Sequence, residues 1–450
     1  MGGGLLQLVA YGAQDVYLTG NPQITFFKVV YRRHTNFAIE AIEQSFNGNN
    51  NFGSSVSVLI TRNGDLIHKI YYSARITNDN AKLAANADDT GTKTNAIALQ
   101  PYFGQRLLKN IELEIGGQRI DRHFSEWLYI WNELTMPPGK KEGYQLMVGG
   151  DAKNRSKYLG PKESYEIYVP LEFWFCRNVG LALPLIALQY HEVKINIMYA
   201  SASELVDNNA NNVCDVFDEQ NVSTDTYVSA SSNLFIGTNN SKLIGGTNLK
   251  LESPSLWVDY IFLDTDERKR FAQQSHEYLI EQVQFPGTDT ITKSSTPDNM
   301  KSVRMTFNHP CKELIWTVKP TEGAGEAVYW NNFSDNTKNI YEYGQNPILR
   351  AKIQLNGNDR FSDRNGSYFS VVQPYQHHEV TPSQYNQGIN VYSFALKPEE
   401  HQPSGTLNMS RIDTATLSVS SSVSGTISIY AVNYNVLRIL SGMGGLAYSN

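Results

Sequence analysis

Short runs in which every second residue is apolar recur along the whole chain. Such a run turns one face to a core and the other to water, as a strand does in a sheet with one wet face. The clearest runs are residues 57–61, 111–115, 165–169, 193–197, 279–283, 353–355, 391–394 and 426–430. Because few helical stretches separate them, the runs predict an all-β protein built from antiparallel sandwiches.

The two halves of the chain also resemble each other. Ile60 with its neighbours 61–63 is answered by Met305 with 306–308, and Ile70 is answered by Ile315, each 245 residues further along. Residues 113–120 and 353–361 form a further pair, in which Gly-Gly and Asn-Gly stand between two short runs. These dipeptides favour tight hairpin turns. The matches keep the same order, so they predict two copies of one β domain in tandem.

Two helices are expected among the strands. The first is a single apolar stripe at helical spacing, stopped by Pro137 and Pro138. Its members are Phe124, Trp127, Leu128, Trp131 and Leu134. The second covers about 266–275, with Thr265 as its predicted cap and two acidic residues in its first turn, where the helix dipole favours them. Lying between two blocks of strands, it is expected to connect the domains.

The length and charge of the chain limit which classes of protein it can belong to. A chain of 450 residues exceeds the roughly 100–200 residues of one ordinary domain, which again favours two. The net charge is −6 and there is no basic tail, so direct binding to nucleic acid is not expected, because it depends on a cationic footprint. Residues before Lys28 carry no Lys or Arg, and no apolar run approaches membrane-spanning length, so neither a secretory signal nor a membrane span is expected.

Three widely spaced cysteines are Cys176, Cys214 and Cys311. They form no CxxC pair and are odd in number, so we expect buried, reduced thiols in a protein folded in a reducing cytoplasm.

Three polar stretches interrupt the strand pattern at 78–100, 201–253 and 321–345. They are rich in Asn, Asp, Ser, Thr and Gly. They are either disordered linkers or surface loops that build the exposed face of an assembly.

No motif for catalysis or for a cofactor is found. The chain contains no GxxxxGK[ST], HExxH, GxSxG or HxH, and the glycines at 442–445 have no helix after them that could hold a phosphate. His377, His378 and Glu379 have the side chains of a metal site, but neighbours in an extended segment point to opposite faces, so a polar loop is the preferred interpretation. We therefore predict no catalytic residue, no metal and no cofactor.

Asn-x-Ser/Thr sequons occur six times in a chain rich in these residues, and without a secretory signal they do not indicate glycosylation. They begin at Asn154, Asn221, Asn239, Asn332, Asn365 and Asn408.

Three longer stretches carry a specific likeness, namely 3–28, 173–193 and 429–448. Each resembles the corresponding part of the major capsid proteins of nucleocytoplasmic large DNA viruses, the group that holds iridoviruses, phycodnaviruses, marseilleviruses and mimivirus-like giants. Two positions depart from the family pattern: Cys176 stands where Asn is frequent, and Val179 where Pro is frequent. Neither change threatens the fold.

The resemblance implies a double jelly roll, two tandem eight-stranded antiparallel jelly rolls with a few short helices in the connections. Combined with the repeat, it predicts an arm at 1–24, jelly rolls at 25–263 and 277–440, a connector at 264–276 and a tail at 441–450. It further implies a homotrimeric, pseudo-hexagonal capsomer in an icosahedral shell. The partners would be neighbouring capsomers and minor capsid and penton proteins, with an internal membrane close by and assembly in the host cytoplasm.

A second hypothesis is a double-jelly-roll carbohydrate-active enzyme or lectin, since the architecture also hosts carbohydrate chemistry. An enzyme needs convergent carboxylates or a nucleophile in a cleft. A coat protein needs large complementary edges.

Overall fold

The computed structural model describes residues 3–79, 97–150, 157–159, 162–206, 249–321, 330–335, 344–382 and 387–448. Two compact units make up the chain, Met1–Phe37 and Ala38–Asn450. The first unit contains two short helices, α1 (Gly3–Val9) and α2 (Val16–Thr19), and neither buries a residue. The first strand begins at Phe37, well after residue 25, where the sequence places the start of the first domain.

Strands dominate the second unit. In the first half of the chain they are β1 (Phe37–Ser45), β2 (Asn47–Gly48), β3 (Ser55–Leu59), β4 (Leu66–Asn78), β5 (Ile97–Leu99), β6 (Leu108–Ile115), β7 (Gln118–Phe124), β8 (Lys157–Leu159), β9 (Ser164–Pro170), β10 (Leu183–Pro184), β11 (Val193–Tyr199) and β12 (Leu249–Leu263). In the second half they are β13 (His276–Gln284), β14 (Thr288–Ile291), β15 (Lys301–Met305), β16 (Pro310–Pro320), β17 (Ile348–Leu355), β18 (Asn358–Asp359), β19 (Arg364–Asn365), β20 (Asn390–Ser393), β21 (Leu407–Asn408), β22 (Ala415–Ser421), β23 (Gly425–Leu440) and β24 (Met443–Leu446).

Short helices occupy the connections. They are α3 (Phe103–Leu107), α4 (Ser125–Thr135), α5 (Pro138–Val148), α6 (Trp174–Arg177), α7 (Ala202–Leu205), α8 (Thr265–Gln273) and α9 (Gln373–His377), with a π-helix at Tyr368–Val372 immediately before α9.

The sheets form two jelly rolls of the same design. In the first roll (β1–β12), the order β1-β12-β4-β10, with β9 also paired to β4, faces β2-β3-β11-β6-β7. In the second roll (β13–β24), β13-β23-β16-β20 faces β15-β22-β17-β18. The first sheet of each roll begins with that roll's first strand, and its last long strand (β12 or β23) lies beside it. The predicted double jelly roll is confirmed.

The internal repeat holds for strands but slips by one residue in one of them. Ile60 and Met305 both end the corresponding strand regions and are buried in their own rolls. Ile70 faces the core of the first roll, whereas Ile315 faces away from the core of the second, which contains Trp316 instead. The match of Ile70 with Ile315 is therefore wrong at residue level, because a shift of one residue exchanges the faces of a strand.

Helix predictions were partly right. The apolar stripe is α4, and the connector is α8, which joins β12 to β13. Its cap is Asp264 and not Thr265, because the Asp264 carboxylate accepts a hydrogen bond from the Thr265 amide at 2.7 Å. Helix α5 was missed: Pro138 does stop α4, but it also occupies the first turn of a new helix, where proline is well tolerated.

The three polar stretches are only partly within the described residues. Their described parts include β5, α7 and the start of β12, so they are not loops throughout. Trp330 and Phe333 of the third stretch are buried in the largest hydrophobic cluster, contrary to the expectation that this stretch stays out of the core. Two aromatic side chains in a polar segment suffice to anchor it there.

Candidate functional site

The two rolls meet along the edges of β7 and β13. The side-chain amide of Gln282 donates a hydrogen bond to the Ile120 carbonyl oxygen, and the Val283 amide donates to the Asp121 carboxylate at 3.2 Å. Gln282 also accepts a hydrogen bond from the Asn435 side chain at 3.0 Å. Backbone groups at these edges are thus paired across the junction.

A shared hydrophobic cluster extends from this edge. The ring of Trp127 on α4 lies 5.4 Å from that of Tyr430 on β23, which in turn stacks on Phe285 at 4.7 Å. Trp330 packs against Tyr129 at 5.9 Å, and its indole nitrogen donates to the Pro101 carbonyl at 2.7 Å. Because side chains of both rolls form one cluster, neither roll has a separate core on this side.

Beside the aromatic residues lies an ionic cluster of six side chains. It comprises Arg177, Glu281, Lys312, Glu313, His378 and Glu399. Arg177 of the first roll lies 3.1 Å from Glu281 of the second, and Lys312 lies 2.7 Å from the other oxygen of Glu281. The guanidinium of Arg177 also stacks 4.0 Å above Trp131. The cluster therefore links the rolls electrostatically.

His378 completes the ionic cluster at its other end. Its Nε2 lies 3.0 Å from Glu313 and its Nδ1 lies 2.7 Å from Glu399. Burial disfavours the imidazolium, but the two carboxylates outweigh it and raise the pKa of His378 to about 9. Burial also works against ionised Glu313, and attraction to His378 outweighs it and lowers the Glu313 pKa. The pair is held as imidazolium and carboxylate.

The interpretation of 377–379 as a polar loop is wrong for His378. His377 ends α9, and His378 is buried beneath it, because two carboxylates compensate the cost of burying its charge. Glu379 is exposed. No group of three or more His, Cys, Asp or Glu that could hold a metal ion occurs among the described residues.

A cavity of about 1020 Å³ opens between α5 and α9 at this junction. Burial raises the pKa of Glu172 in its wall, although Arg177 and His123 lower it in part. Burial also raises the pKa of the Cys176 thiol, with the Glu172 charge adding to the effect. The thiol is thus protonated, and the nearby His378 carries a proton between two carboxylates. Cys176 is therefore not an activated nucleophile, and His378 is not a free base.

Cys176 and Cys311 are free and buried, as the sequence predicts, whereas Cys214 lies outside the described residues. The sequons at Asn154, Asn221 and Asn239 also lie outside them. In each of the other three, Asn332, Asn365 and Asn408, the side-chain oxygen accepts a hydrogen bond from the amide of the sequon serine.

The glycines at 442–445 carry β24 back onto the first roll. Nδ1 of His191 lies 2.8 Å from the Gly444 carbonyl oxygen and 3.2 Å from its amide nitrogen. The Leu446 amide donates to the Gln118 side chain at 3.1 Å. A β-carbon at Gly444 would approach Leu188 to 2.6 Å, so the close contact requires glycine.

The sequence did not predict the ionic cluster, nor that the glycines at 442–445 let β24 pack against the first roll. One signal was available: Lys312 and Glu313 are adjacent charges inside an otherwise apolar strand. Their partners lie far away in sequence and carry no such signal. No helix within the described ranges is long and apolar enough to cross a membrane.

Comparisons with known proteins cover nearly the whole chain. The family described as large eukaryotic DNA virus major capsid protein matches residues 267–445, and the family described as major capsid protein N-terminus matches 25–264. The major capsid protein of Pyramimonas orientalis virus is 47% identical, with both chains covered completely. That of Paramecium bursaria Chlorella virus 1 is 44% identical, again over both full chains.

Solved structures agree with these relatives. The PBCV-1 virus capsid protein in a quasi-atomic capsid model is 38% identical, with a TM-score of 0.71 over 95% of this chain and 100% of that one. The Faustovirus major capsid protein shares the fold at 13% identity, with a TM-score of 0.68 over 96% of this chain and 94% of that one.

Proposed function

The chain belongs to the family of large eukaryotic DNA virus major capsid proteins, and we propose that three copies of it close into a pseudo-hexagonal capsomer that tiles an icosahedral shell. As a capsid protein it is a structural component of the virion shell, where it assembles with further copies. One observation carries the proposal of a trimer: both rolls have the same strand order. Three chains would therefore supply six similar units around one axis.

We also propose the domain boundaries expected from the sequence. They are an arm at 1–24, jelly rolls at 25–263 and 277–440, a connector at 264–276 and a tail at 441–450. The arm at 1–24 would lie under the capsomer, facing the shell interior, and contact minor capsid proteins or neighbouring capsomers. Its exposed apolar side chains support this role, because a solvated terminus gains nothing from them. They include Leu5, Leu6, Leu8, Val9, Val16 and Leu18. Penton proteins and an internal membrane would lie near the assembled capsomers.

Assembly would take place in the host cytoplasm, and the protein would bind no nucleic acid directly, consistent with its net charge of −6. A carbohydrate-active enzyme or lectin is the second candidate, favoured only by the cavity of about 1020 Å³. Burial keeps Cys176 as a thiol and two carboxylates keep His378 protonated, so neither residue serves as a nucleophile or a base in that cavity.

Light scattering coupled to size-exclusion chromatography tests the proposal. We expect the mass of three chains, whereas a monomer that hydrolyses a glycan would support the second candidate.

Deleting residues 2–20 should leave the trimer intact and abolish shells in electron micrographs. Normal shells from the deletion variant would contradict the role of the arm, and loss of the trimer would move that role to the contact between subunits.

A further inference from the structure

In residues 26–33 every side chain is either large and apolar or positively charged, and we term them the basic apolar segment. Its apolar members are Phe26, Phe27, Val29, Val30 and Tyr31, and its cations are Lys28, Arg32 and Arg33. The five apolar side chains are 71–98% exposed, and Phe27 is the most exposed of them. In the part of the chain that the structure describes, none of the eight residues belongs to a hydrophobic cluster. Exposed apolar surface of this extent marks an interaction site.

The charge of the segment sets it apart from the rest of the protein. The compact unit that contains it, Met1–Phe37, has three cations and one carboxylate, a net charge of +2. The whole chain carries −6, so the second unit carries −8. The nearest acidic residues in the sequence are Asp15 and Glu40, both outside the segment, and its three cations are exposed. A complementary partner is therefore both apolar and anionic.

The spacing of the apolar residues distinguishes between two partners of that kind. They stand at odd and even positions alike, and the backbone of 26–33 forms neither helix nor strand. A protein groove binds apolar side chains at a regular spacing, every second residue of a strand or every third or fourth of a helix. The interface of a bilayer accepts apolar side chains at any spacing, while Lys and Arg side chains extend to the charged headgroups. The segment thus fits a lipid surface better than a groove.

We propose that the basic apolar segment binds the surface of a bilayer that contains anionic phospholipids. Its aromatic and aliphatic side chains enter the boundary between headgroups and acyl chains, and its cations pair with the headgroup phosphates. Eight residues fall well short of the roughly 20 that cross a bilayer as a helix, so the segment lies on the membrane and does not span it. The inference rests on the proposed internal membrane for its place in the virion, whereas the binding itself needs only one chain.

Flotation of the full-length protein with vesicles tests the charged half of the segment. We expect the protein to float with vesicles of two parts phosphatidylcholine and one part phosphatidylserine, and not with vesicles of phosphatidylcholine alone. Replacing Arg32 and Arg33 together by Ala should lower the partition coefficient about 30-fold, because each cation near an anionic surface contributes about fivefold. The matched control replaces Lys269 and Arg270 by Ala, because these adjacent cations of α8 are exposed but lie outside the segment. It should bind as the wild type does.

The variant Phe27→Ser tests the apolar half. Removing this ring should lower the partition coefficient about tenfold, because the ring is exposed in the free protein and would be buried in the bilayer. The variant Tyr190→Ser is the control, since Tyr190 is 74% exposed and lies elsewhere. All the replaced side chains are exposed, so each variant should keep its fold, which circular dichroism verifies.

Light scattering on the same preparations separates lipid binding from assembly. All variants should keep the mass of the wild type. A change of mass in the Arg32 and Arg33 variant would assign the segment to a contact between copies and overturn the inference. Equal binding to neutral and anionic vesicles, or equal losses in segment and control variants, would overturn it as well. A wild type that floats as a monomer would support lipid binding while refuting the trimer, and a trimer that floats with neither kind of vesicle would refute lipid binding while the capsomer stands.

Discussion

The ammonium nitrogen of Lys312 lies 2.7 Å from a carboxylate oxygen of Glu281, and the Lys312 side chain has no exposed surface. A buried charge of this kind is tolerated only while its partner is present. We expect Lys312→Met to lower the free energy of unfolding by about 3–5 kcal/mol, because Glu281 keeps only its contact with Arg177. Denaturant titration measures the change.

The matched control is Lys352→Met. Lys352 lies 3.5 Å from Asp359 in a partly exposed pair, where a loss of less than about 1 kcal/mol is expected. Equal losses in both variants would show that burial of the Lys312 pair is energetically unimportant.

Stability should depend on pH through His378. Its pKa in the folded protein is about 9, above the ordinary value of 6.5, so the native state holds this proton more tightly than the unfolded state does. The contribution is complete below pH 6.5 and is lost as pH rises to about 9. Over that window the difference in unfolding free energy between wild type and His378→Gln should shrink by up to about 1.4 kcal/mol per pH unit. A difference that stays constant from pH 6 to 9.5 would contradict a charged His378.

Two adjacent glycines in the β6–β7 turn should respond differently to alanine. Both have positive φ, 58° at Gly116 and 83° at Gly117, so each substitution costs about 1–2 kcal/mol of backbone strain. At Gly116 the new β-carbon would also lie 2.2 Å from Nδ1 of His191, whereas at Gly117 it meets open space. Gly116→Ala should therefore cost about 1–3 kcal/mol more than Gly117→Ala in denaturant titrations. The same loss at both positions would mean that His191 moves away freely.

The buried thiols should be poorly reactive. Burial raises the pKa of both Cys176 and Cys311, which removes the thiolate that alkylating reagents require. In a Cys214→Ser background, iodoacetamide at pH 8 should label the native protein at least about tenfold more slowly than the urea-unfolded protein. Mass spectrometry measures the labelling, and rapid native labelling of either cysteine would show that its site opens readily.

How far the sequence predicts this fold depends on which faces of a strand are buried. Val193 to Tyr199 alternates because one side of β11 is wet, so its strand is evident from the residues. In β16 nearly every residue is buried, so the alternation disappears and the repeat alone located the strand, with a slip at Ile315. The resemblance to capsid proteins supplied the jelly-roll fold, which no local pattern contains.

The junction between the rolls was hidden for a different reason. Arg177, Glu281 and His378 are far apart in sequence and look like ordinary polar residues of a connection, a strand and a loop. Only the packing of one roll on the other brings them within ion-pair distance. Burial by a second domain is not encoded in the period of any single segment.

The return of β24 to the first roll has a consequence for synthesis of the protein. A ribosome releases β24 only after every other strand of both rolls, yet its backbone completes the contacts of His191 and Gln118, which belong to the first half. The amino-terminal roll can begin to fold during translation, but it must wait for the last strand before that edge is closed. A nascent chain stalled before Gly442 would thus lack the contacts of His191 and Gln118 with β24 and would leave this edge of the first roll exposed.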